Sequence, residues 1–367
     1  MVVGQKTILV CESNAMTKLI SIEASSPQQG ARGPGLPRRA LNALAVVLPW
    51  AIIGGLLWAG LFIKPQPVGG SVTPPPLERR DQFYGLAQLP DGTVLACGSN
   101  GKVLAISADG RISRQETPSD KPLQDIAAWD ANHLVAVGND GVILHSDDAG
   151  RHWRLADAVP RSAVANKLNR VRVGPAGLAI AVGEMGALLV SHDFGAHWQR
   201  LREEEDVAWN DAALLDDGRL VVVGEFGRIL LSQDLGAHWE EIPAPVPGSL
   251  MAVRFRDAAN GVAVGVEGTL LVTRDGGRQW QPVGLGVHDH LFSVIWNPAQ
   301  QQWLAFGALG RWVAGSVGAG DIAWRSGTLD ARDLSWHTGA LSSGKQTWLA
   351  GDGIGRWDGR HWSPLKP

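Results

Sequence analysis

Short apolar runs separated by glycine-containing turns fill the chain from Phe83 to its end. In one representative stretch the runs read LMAVRF, GVAVG and TLLVTR, and RQWQPV follows after a turn. Short apolar runs bounded by glycine, asparagine and aspartate are typical of β-strands. The pattern predicts groups of four strands, which we label A to D within each group.

The groups repeat with a nearly constant period. The fullest copies read Val/Ala-Val-Gly-x-x-Gly-x-Ile/Leu-Leu-x-Ser-x-Asp-x-Gly-x-x-Trp, and the first glycines are Gly98, Gly138, Gly183, Gly224, Gly265, Gly307 and Gly351. Their spacings are 40, 45, 41, 41, 42 and 44 residues. A period near 42 residues with four strands per unit fits a propeller blade. We therefore predict an all-β fold, a seven-bladed β-propeller of four-stranded antiparallel blades spanning 83–367.

Closure of the ring is left open by the sequence. Each of the seven units carries its own four strands, so none is visibly shared between the ends of the chain. Either side chains of the first and seventh blades pack together, or the preceding linker adds a strand.

An uninterrupted apolar segment precedes the propeller. Residues 41–63, LNALAVVLPWAIIGGLLWAGLFI, contain no charged side chain. Twenty-three helical residues span about 34 Å, which exceeds a hydrocarbon core of about 30 Å. The length and the preceding tail predict an uncleaved transmembrane helix. Residues 1–40 are predicted to be a disordered tail, and 64–82 a Pro/Gly-rich linker.

Charges beside this segment predict its orientation. Arg38 and Arg39 precede it directly, whereas Lys64 alone follows closely. The positive-inside rule places the tail in the cytoplasm and the propeller in the periplasm of a bacterial inner membrane. Met16 is an alternative start of the chain.

Small residues recur along the apolar segment. Ala51, Gly55 and Ala59 are four residues apart, which permits close packing against another membrane helix. Because glycine and alanine are common in membrane helices, this spacing also fits a helix with no specific partner.

The stretch SQDLGAHW at 232–239 recurs as SDDAGRHW, SHDFGAHW and TRDGGRQW. It falls at the turn between strands C and D, where an acid can accept hydrogen bonds from backbone amides and a tryptophan can be buried. The predicted structural residues are Asp148, Trp153, Asp193, Trp198, Asp234, Trp239, Asp275 and Trp280. Histidine is absent from the fourth copy, which has Gln279, so a metal site in every turn is not expected.

These turns resemble the Asp-box (BNR) repeat. In families that carry it, including sialidases, the box is a folding element away from the catalytic centre. Sialidases also need three arginines, a tyrosine nucleophile with a glutamate partner, and an acid/base aspartate. The single tyrosine, Tyr84, lies in a predicted A strand, and no pair of carboxylates is singled out. We therefore expect no catalytic residues, and keep an Asp-box glycan-binding or sialidase-like protein as the alternative.

The complete unit is narrower than Asp boxes in general. Over residues 83–365, and most clearly over 126–296, it resembles the photosystem II assembly and stability factor family and its non-photosynthetic bacterial relatives. The resemblance implies a non-catalytic role in binding a membrane-protein partner, with an arginine-rich patch in the photosynthetic members. For the bacterial relatives it implies an accessory role to a transporter, an RND-superfamily exporter in particular.

A partner-binding surface is predicted opposite the SQDLGAHW turns. The Gly-x-x-Gly turns and the connections between blades share that face and expose acids with some apolar residues, a combination suited to protein contacts. The candidates are Asp140, Glu184, Met185, Glu225, Phe226, Glu267, Trp209, His288 and His290. Ordinary exposed turns would show similar acids, and the His288–His290 segment also fits a plain loop.

Arginines alternate in two predicted A strands. Arg170 with Arg172, and Arg254 with Arg256, place each pair on one strand face. They either match the arginine patch implied by the resemblance or neutralise neighbouring acids.

Composition narrows the partners. The net charge is -3, which indicates no nucleic-acid partner. Removing the 6 basic and 2 acidic residues of positions 1–64 from the 33 and 36 of the chain leaves 27 and 34, a net charge of -7. Two cysteines, Cys11 and Cys97, lie on opposite sides of the apolar segment, so we expect no disulfide, and Cys97 is predicted to be a buried hydrophobe. We expect no cofactor, metal or small-molecule substrate.

Overall fold

The computed structural model describes residues 38–62, 75–318 and 321–366. Two compact units result, Met1–Val72 with the helix and Thr73–Pro367 with all the strands. The predictions for the N-terminal tail, Met16, Cys11 and most of the linker lie outside the described residues.

The first unit contains one helix, α1, Arg38–Phe62. It begins three residues earlier than the apolar run predicts and contains Pro49. Its window Ala45–Phe62 has a mean hydropathy of 2.0 and is not buried, so by length and composition the helix can cross a membrane. Ala51 and Gly55 are exposed, and Ala59 is half-buried.

Seven four-stranded sheets form the second unit, and each sheet takes four consecutive strands in order. The seven-bladed propeller is confirmed. The strands are β1 Phe83–Gln88, β2 Val94–Gly98, β3 Val103–Ile106 and β4 Ile112–Gln115; β5 Leu123–Ala128, β6 Leu134–Gly138, β7 Ile143–Ser146 and β8 Arg154–Leu155; β9 Leu168–Val173, β10 Ala179–Gly183, β11 Leu188–Ser191 and β12 Gln199–Arg200; β13 Trp209–Leu214, β14 Leu220–Gly224, β15 Ile229–Ser232 and β16 Glu240–Ile242; β17 Leu250–Phe255, β18 Gly261–Gly265, β19 Leu270–Thr273 and β20 Gln281–Pro282; β21 Leu291–Asn297, β22 Gln302–Gly307, β23 Arg311–Val317 and β24 Ile322–Thr328; and β25 His337–Ser343, β26 Gln346–Gly351, β27 Ile354–Trp357 and β28 Trp362–Pro364.

Every A strand has the same irregularity. Its pairing with strand B shifts by one residue between the first and third positions, as between Trp209 and Asp211 in the fourth blade. A β-bulge of this kind bends the strand and re-aims its side chains. The third residue of each A strand thereby lines the central channel, as Asp125, Arg170 and Ser293 do.

Packing between neighbouring blades supplies the core. Strand B is buried at all five positions in most blades, and one hydrophobic cluster joins blade one to blade two through Leu95, Leu123 and Trp153. Cys97 lies in this cluster as a fully buried side chain, as predicted, and burial is the main reason that the pKa of its thiol is raised.

Side-chain packing between the first and seventh blades closes the ring. Phe83 and Leu104 share a cluster with Trp348 and Ala350, and no sheet in the described chain takes strands from both ends. Polar contacts reinforce the seam: Gln88 Nε2 donates to Ser343 Oγ over 2.9 Å. Of the two alternatives left by the sequence, the structure shows the first.

The end of the predicted linker belongs to the propeller wall. Leu77 is buried in the cluster at the seam, and Lys102 Nζ pairs with Asp81 Oδ1 at 2.5 Å with both side chains nearly inaccessible. The buried pair holds this segment against the first blade, so a flexible linker extending to residue 82 is too long.

The SQDLGAHW turn is a closed hydrogen-bond network. Ser232 Oγ donates to Asp234 Oδ1 and accepts from the amide of Gly236, while the amide of His238 donates to Asp234 Oδ1. Hydrogen bonds from the side chain and then the amide of His238 lower the pKa of Asp234 to about 2. Trp153, Trp198 and Trp280 are buried, and Trp239 is half-buried. Here the motif holds the turn through its own backbone.

Candidate partner-binding site

The Gly-x-x-Gly turns share one surface with the connections between blades, and we call this surface the glycine-turn face. Contacts identify its members: Gly186 N donates to Val207 O in the connection to the fourth blade. On the opposite face the C–D turns meet the A–B turns, as where Leu235 N donates to Gly218 O. The two faces of the ring therefore carry different sets of turns.

Bulky residues occupy left-handed backbone on the glycine-turn face. In six blades the second residue of the turn has a positive φ: Asn100 (56°), Asp140 (57°), Met185 (52°), Phe226 (57°), Glu267 (55°) and Leu309 (54°). Asparagine and aspartate tolerate this conformation, but larger side chains cost roughly 1–2 kcal/mol there. Blades three, four and six thus hold a large apolar side chain where backbone geometry favours a small polar one.

Two of these apolar side chains project into solvent. Phe226 is 73% exposed and Leu309 49% exposed, whereas Met185 is half-buried. An exposed aromatic in a strained turn contributes little to the stability of the free protein. The prediction of Phe226 as a surface residue agrees with this exposure.

Several predicted acids on this face are used internally. Glu184 Oε2 accepts from the amide of Lys167 over 3.2 Å, and Glu225 Oε2 accepts from the amide of Ala208 over 2.9 Å. These carboxylates satisfy the first amides of the next connection, a local structural role. Asp140 and Glu267 remain exposed, although Lys121 lies 3.0 Å from Asp140.

The two predicted histidines have different surroundings. His290 Nδ1 accepts from the amide of Glu267 over 2.9 Å, so it holds the turn of the fifth blade, and His288 is exposed. Asp289 between them pairs with Arg311 at 2.6 Å. Within the described residues, no group of three or more His, Cys, Asp or Glu side chains is arranged to hold a metal.

Trp209 is not a surface residue, so its prediction as a partner contact is wrong. It is 1% exposed and packs in the core between blades three and four. The guanidinium of Arg228 covers its ring, 5.1 Å from the centroid. Trp209 begins strand β13, where the first residue points into the core; its place after the acidic run REEED suggested a loop instead.

The predicted arginines do not form an open patch. Arg172 Nη1 donates to Asp125 Oδ2 over 2.7 Å and its Nη2 to Asp211 Oδ1 over 2.6 Å, and Arg254 Nη1 donates to Asp211 Oδ2 over 2.8 Å. Arg170 Nη2 donates across the ring to Thr338 O. These groups line a cavity of about 60 Å³ in the central channel, so neutralisation of neighbouring acids is the reading that the geometry supports.

Arg256 lies apart from that cluster. It pairs with Asp257 at 3.1 Å and lies over Trp296, 5.4 Å from the ring centroid.

Asp125 and Asp211 are charged channel residues that sequence reasoning missed. Burial raises the pKa of Asp211, but Arg172 and Arg254 outweigh this effect and the pKa is lowered overall. A signal existed: an aspartate stands at the third position of strand A one blade before each arginine pair.

Tyr84 lies at the seam of the ring. Its hydroxyl donates to Gln82 Oε1 over 3.0 Å, and its ring stacks on Trp336 with centroids 5.7 Å apart. Burial raises the pKa of the hydroxyl, and Asp352 adds to the effect. The side chain is half-buried at the channel rather than in the core predicted for it.

No protein-family model matches the sequence, and no curated protein matches it. Solved structures do resemble the fold. "YCF48 bound to D1 peptide" superposes with a TM-score of 0.61 at 15% identity, covering 74% of this chain and 91% of the other. YCF48 from Cyanidioschyzon merolae gives 0.61 at 16%, covering 76% and 95%. PorZ, a surface component of the type-IX secretion system of Porphyromonas gingivalis, gives 0.59 at 17%, covering 78% of this chain and 38% of its own. At these identities the likeness shows the fold.

Proposed function

We propose that the chain is a non-catalytic propeller that binds a membrane-protein partner through its glycine-turn face. The observation that carries the proposal is Phe226, a phenylalanine in left-handed backbone with 73% of its surface exposed. Strain that the free protein does not need is commonly found at binding positions. Leu309 repeats the combination two blades away.

The composition of the face fits a protein partner. A central aromatic anchor with apolar neighbours and a polar rim is the usual anatomy of a protein interface. Exposed acids surround Phe226, among them Glu203, Asp206 and Glu267. A partner segment with apolar side chains and flanking basic residues is complementary to this arrangement.

Two of the similar structures support such a role by what their titles state. YCF48 was solved with a D1 peptide, and PorZ is a component of a secretion system. Both are propeller proteins that act with other proteins. We infer an assembly or accessory role for this chain in a membrane complex, and specifically beside an RND-superfamily exporter.

We also propose that α1 anchors the chain in a bacterial inner membrane with the propeller in the periplasm. The basic residues before the helix, its length and its mean hydropathy support this orientation. Alkaline phosphatase fused after residue 367 is active only outside the cytoplasm. Activity is expected for this fusion, and an inactive, stably expressed fusion contradicts the orientation.

Affinity purification tests the binding role. The full-length chain, tagged at its C-terminus and extracted in a mild detergent, is compared with its Phe226→Asn and Leu235→Asn variants. Leu235 is the matched control because it is an exposed apolar residue with φ 56° on the opposite face. An integral-membrane protein recovered with wild type and Leu235→Asn, and lost with Phe226→Asn, supports the proposal. Equal recovery with all three, or turnover of sialosides by the purified chain, contradicts it.

A further inference from the structure

Charged residues alternate around the central channel, blade by blade. Asp125 of blade two, Arg172 of blade three, Asp211 of blade four and Arg254 of blade five follow one another along the wall. Blade six continues the series with Ser293, at the same third position of strand A that Asp125 and Asp211 occupy. The alternation thus ends on an arginine with an acid on one side only.

The hydrogen bonds of the two arginines show what is missing. Arg172 uses Nη1 for the aspartate of the preceding blade and Nη2 for that of the following blade. Within the described residues Arg254 uses Nη1 alone, for Asp211 of the preceding blade and the carbonyl of Val253. The register position at which its Nη2 would find an acid belongs to Ser293.

Ser293 is itself unsatisfied. Its residue is 6% exposed, its side chain faces the cavity, and its Oγ has no hydrogen-bond partner within the described part of the chain. A buried hydroxyl without a partner costs about 1–3 kcal/mol, so such groups are normally occupied. The hydroxyl is a donor aimed at the same space as Arg254.

A backbone donor completes the position. The amides of Val171 and Val253 donate to Asp125 Oδ2 and Asp211 Oδ2 of the preceding blade. By the same register, the amide that would meet a carboxylate in blade six belongs to Ala340, which also lines the cavity.

We propose that the central channel binds one small monovalent anion, of formate or halide size, between Arg254 and Ser293 Oγ. The anion takes the place of the carboxylate that blades two and four supply from their own A strands. The cavity of about 60 Å³ has room for a few water molecules or one such ion.

The charge balance of the channel favours this ligand. Three guanidinium groups, of Arg170, Arg172 and Arg254, face two carboxylates, of Asp125 and Asp211. Burial and then repulsion from Arg172 lower the pKa of Arg254 to about 10, whereas two acids keep the pKa of Arg172 raised. Arg254 also keeps 29% of its side chain accessible, against 17% for Arg172.

Thermal unfolding of the full-length chain in neutral detergent tests the site. Sodium formate is titrated into chloride-free buffer, with ionic strength held constant by sodium gluconate, whose anion is too large for the cavity. At ten times the dissociation constant, Tm is expected to increase by about 3 °C. An unchanged Tm across the titration overturns the proposal.

Substitutions at Ser293 separate charge from size. Ser293→Asp supplies the missing carboxylate, so we expect a higher Tm without formate and no response to formate. Ser293→Asn has the same size without the charge and is expected to give no increase. Ser326→Asp, on an exposed strand, controls for net charge. An equal increase for Ser293→Asp and Ser293→Asn overturns the proposal.

Crystals of the wild-type chain grown in sodium bromide give an independent measurement. The expected result is an anomalous peak within contact distance of both Ser293 Oγ and the Arg254 guanidinium. A channel without bromide at that position contradicts the proposal, even if bromide binds elsewhere on the surface.

Discussion

The guanidinium of Arg172 lies 2.6 Å from the carboxylate of Asp211, so an ion pair joins the third and fourth blades inside the channel wall. Asp211 is fully buried, and Arg172 also holds Asp125 of the second blade. One side chain therefore links three blades that share no hydrogen-bonded strands.

Loss of that link is expected to destabilise the propeller. Arg172→Met leaves two buried carboxylates without their partner, which costs about 3–5 kcal/mol. The control Arg274→Met removes an exposed pair with Asp321 and is expected to cost less than about 1 kcal/mol. Urea unfolding followed by tryptophan fluorescence measures both. Similar losses for the two variants contradict a special role for the channel pair.

Acid is expected to unfold the protein through its turn aspartates. Hydrogen bonds from the amide and then the side chain of His152 lower the pKa of Asp148 to about 2, and Asp333 is lowered to about 2 despite its burial. Their unfolded values are about 3.9. Because the folded pKa values are depressed, this stability is present above about pH 4 and is lost as the pH falls towards 2. Tm measured from pH 6 to pH 2 should decrease mainly in this window.

The variant Asp148→Asn identifies the contribution of one turn. It cannot titrate, so its decrease in Tm between pH 4 and pH 2 is expected to be smaller than that of the wild type. A decrease as steep as that of the wild type assigns the acid sensitivity to other groups.

Glycines at the ends of the B strands permit close contact with the start of strand A. A Cβ on Gly307 would lie 1.8 Å from the carbonyl oxygen of His290, whereas a Cβ on Gly284 would meet no atom within 4 Å. Gly307→Ala is expected to cost about 3 kcal/mol, because two backbone segments must separate. Gly284→Ala should change the free energy of unfolding by less than about 1 kcal/mol. Equal effects in denaturant titrations contradict the steric explanation.

Relief of strain at Phe226 is expected to increase stability while binding is lost. Asparagine tolerates a φ of 57°, so Phe226→Asn should raise the free energy of unfolding by about 1 kcal/mol. Differential scanning calorimetry measures the change in Tm. A decrease shows instead that the phenyl ring packs on its own protein.

The repeat predicted most of the fold and little of the site. Blade number and strand order follow from the period of the first glycines and from apolar runs, because each blade repeats the same local interactions. The end of the linker was misplaced since burial of Leu77 and Asp81 depends on the seam, which forms between distant parts of the chain.

The channel escaped prediction for a related reason. The alternation of Asp125, Arg172, Asp211 and Arg254 appears only when the bulged A strands are set side by side. Trp209 was misread because an acidic run precedes it, although the first position of strand A is buried in every blade.

Site-specific photocrosslinking in living cells tests the central claim most directly. A benzoylphenylalanine placed at residue 226 probes the glycine-turn face, and one at residue 235 probes the opposite face with a side chain of similar setting. The account predicts that illumination links residue 226, and not residue 235, to one integral-membrane protein. Crosslinks of equal yield from both positions, or from residue 235 alone, would contradict it.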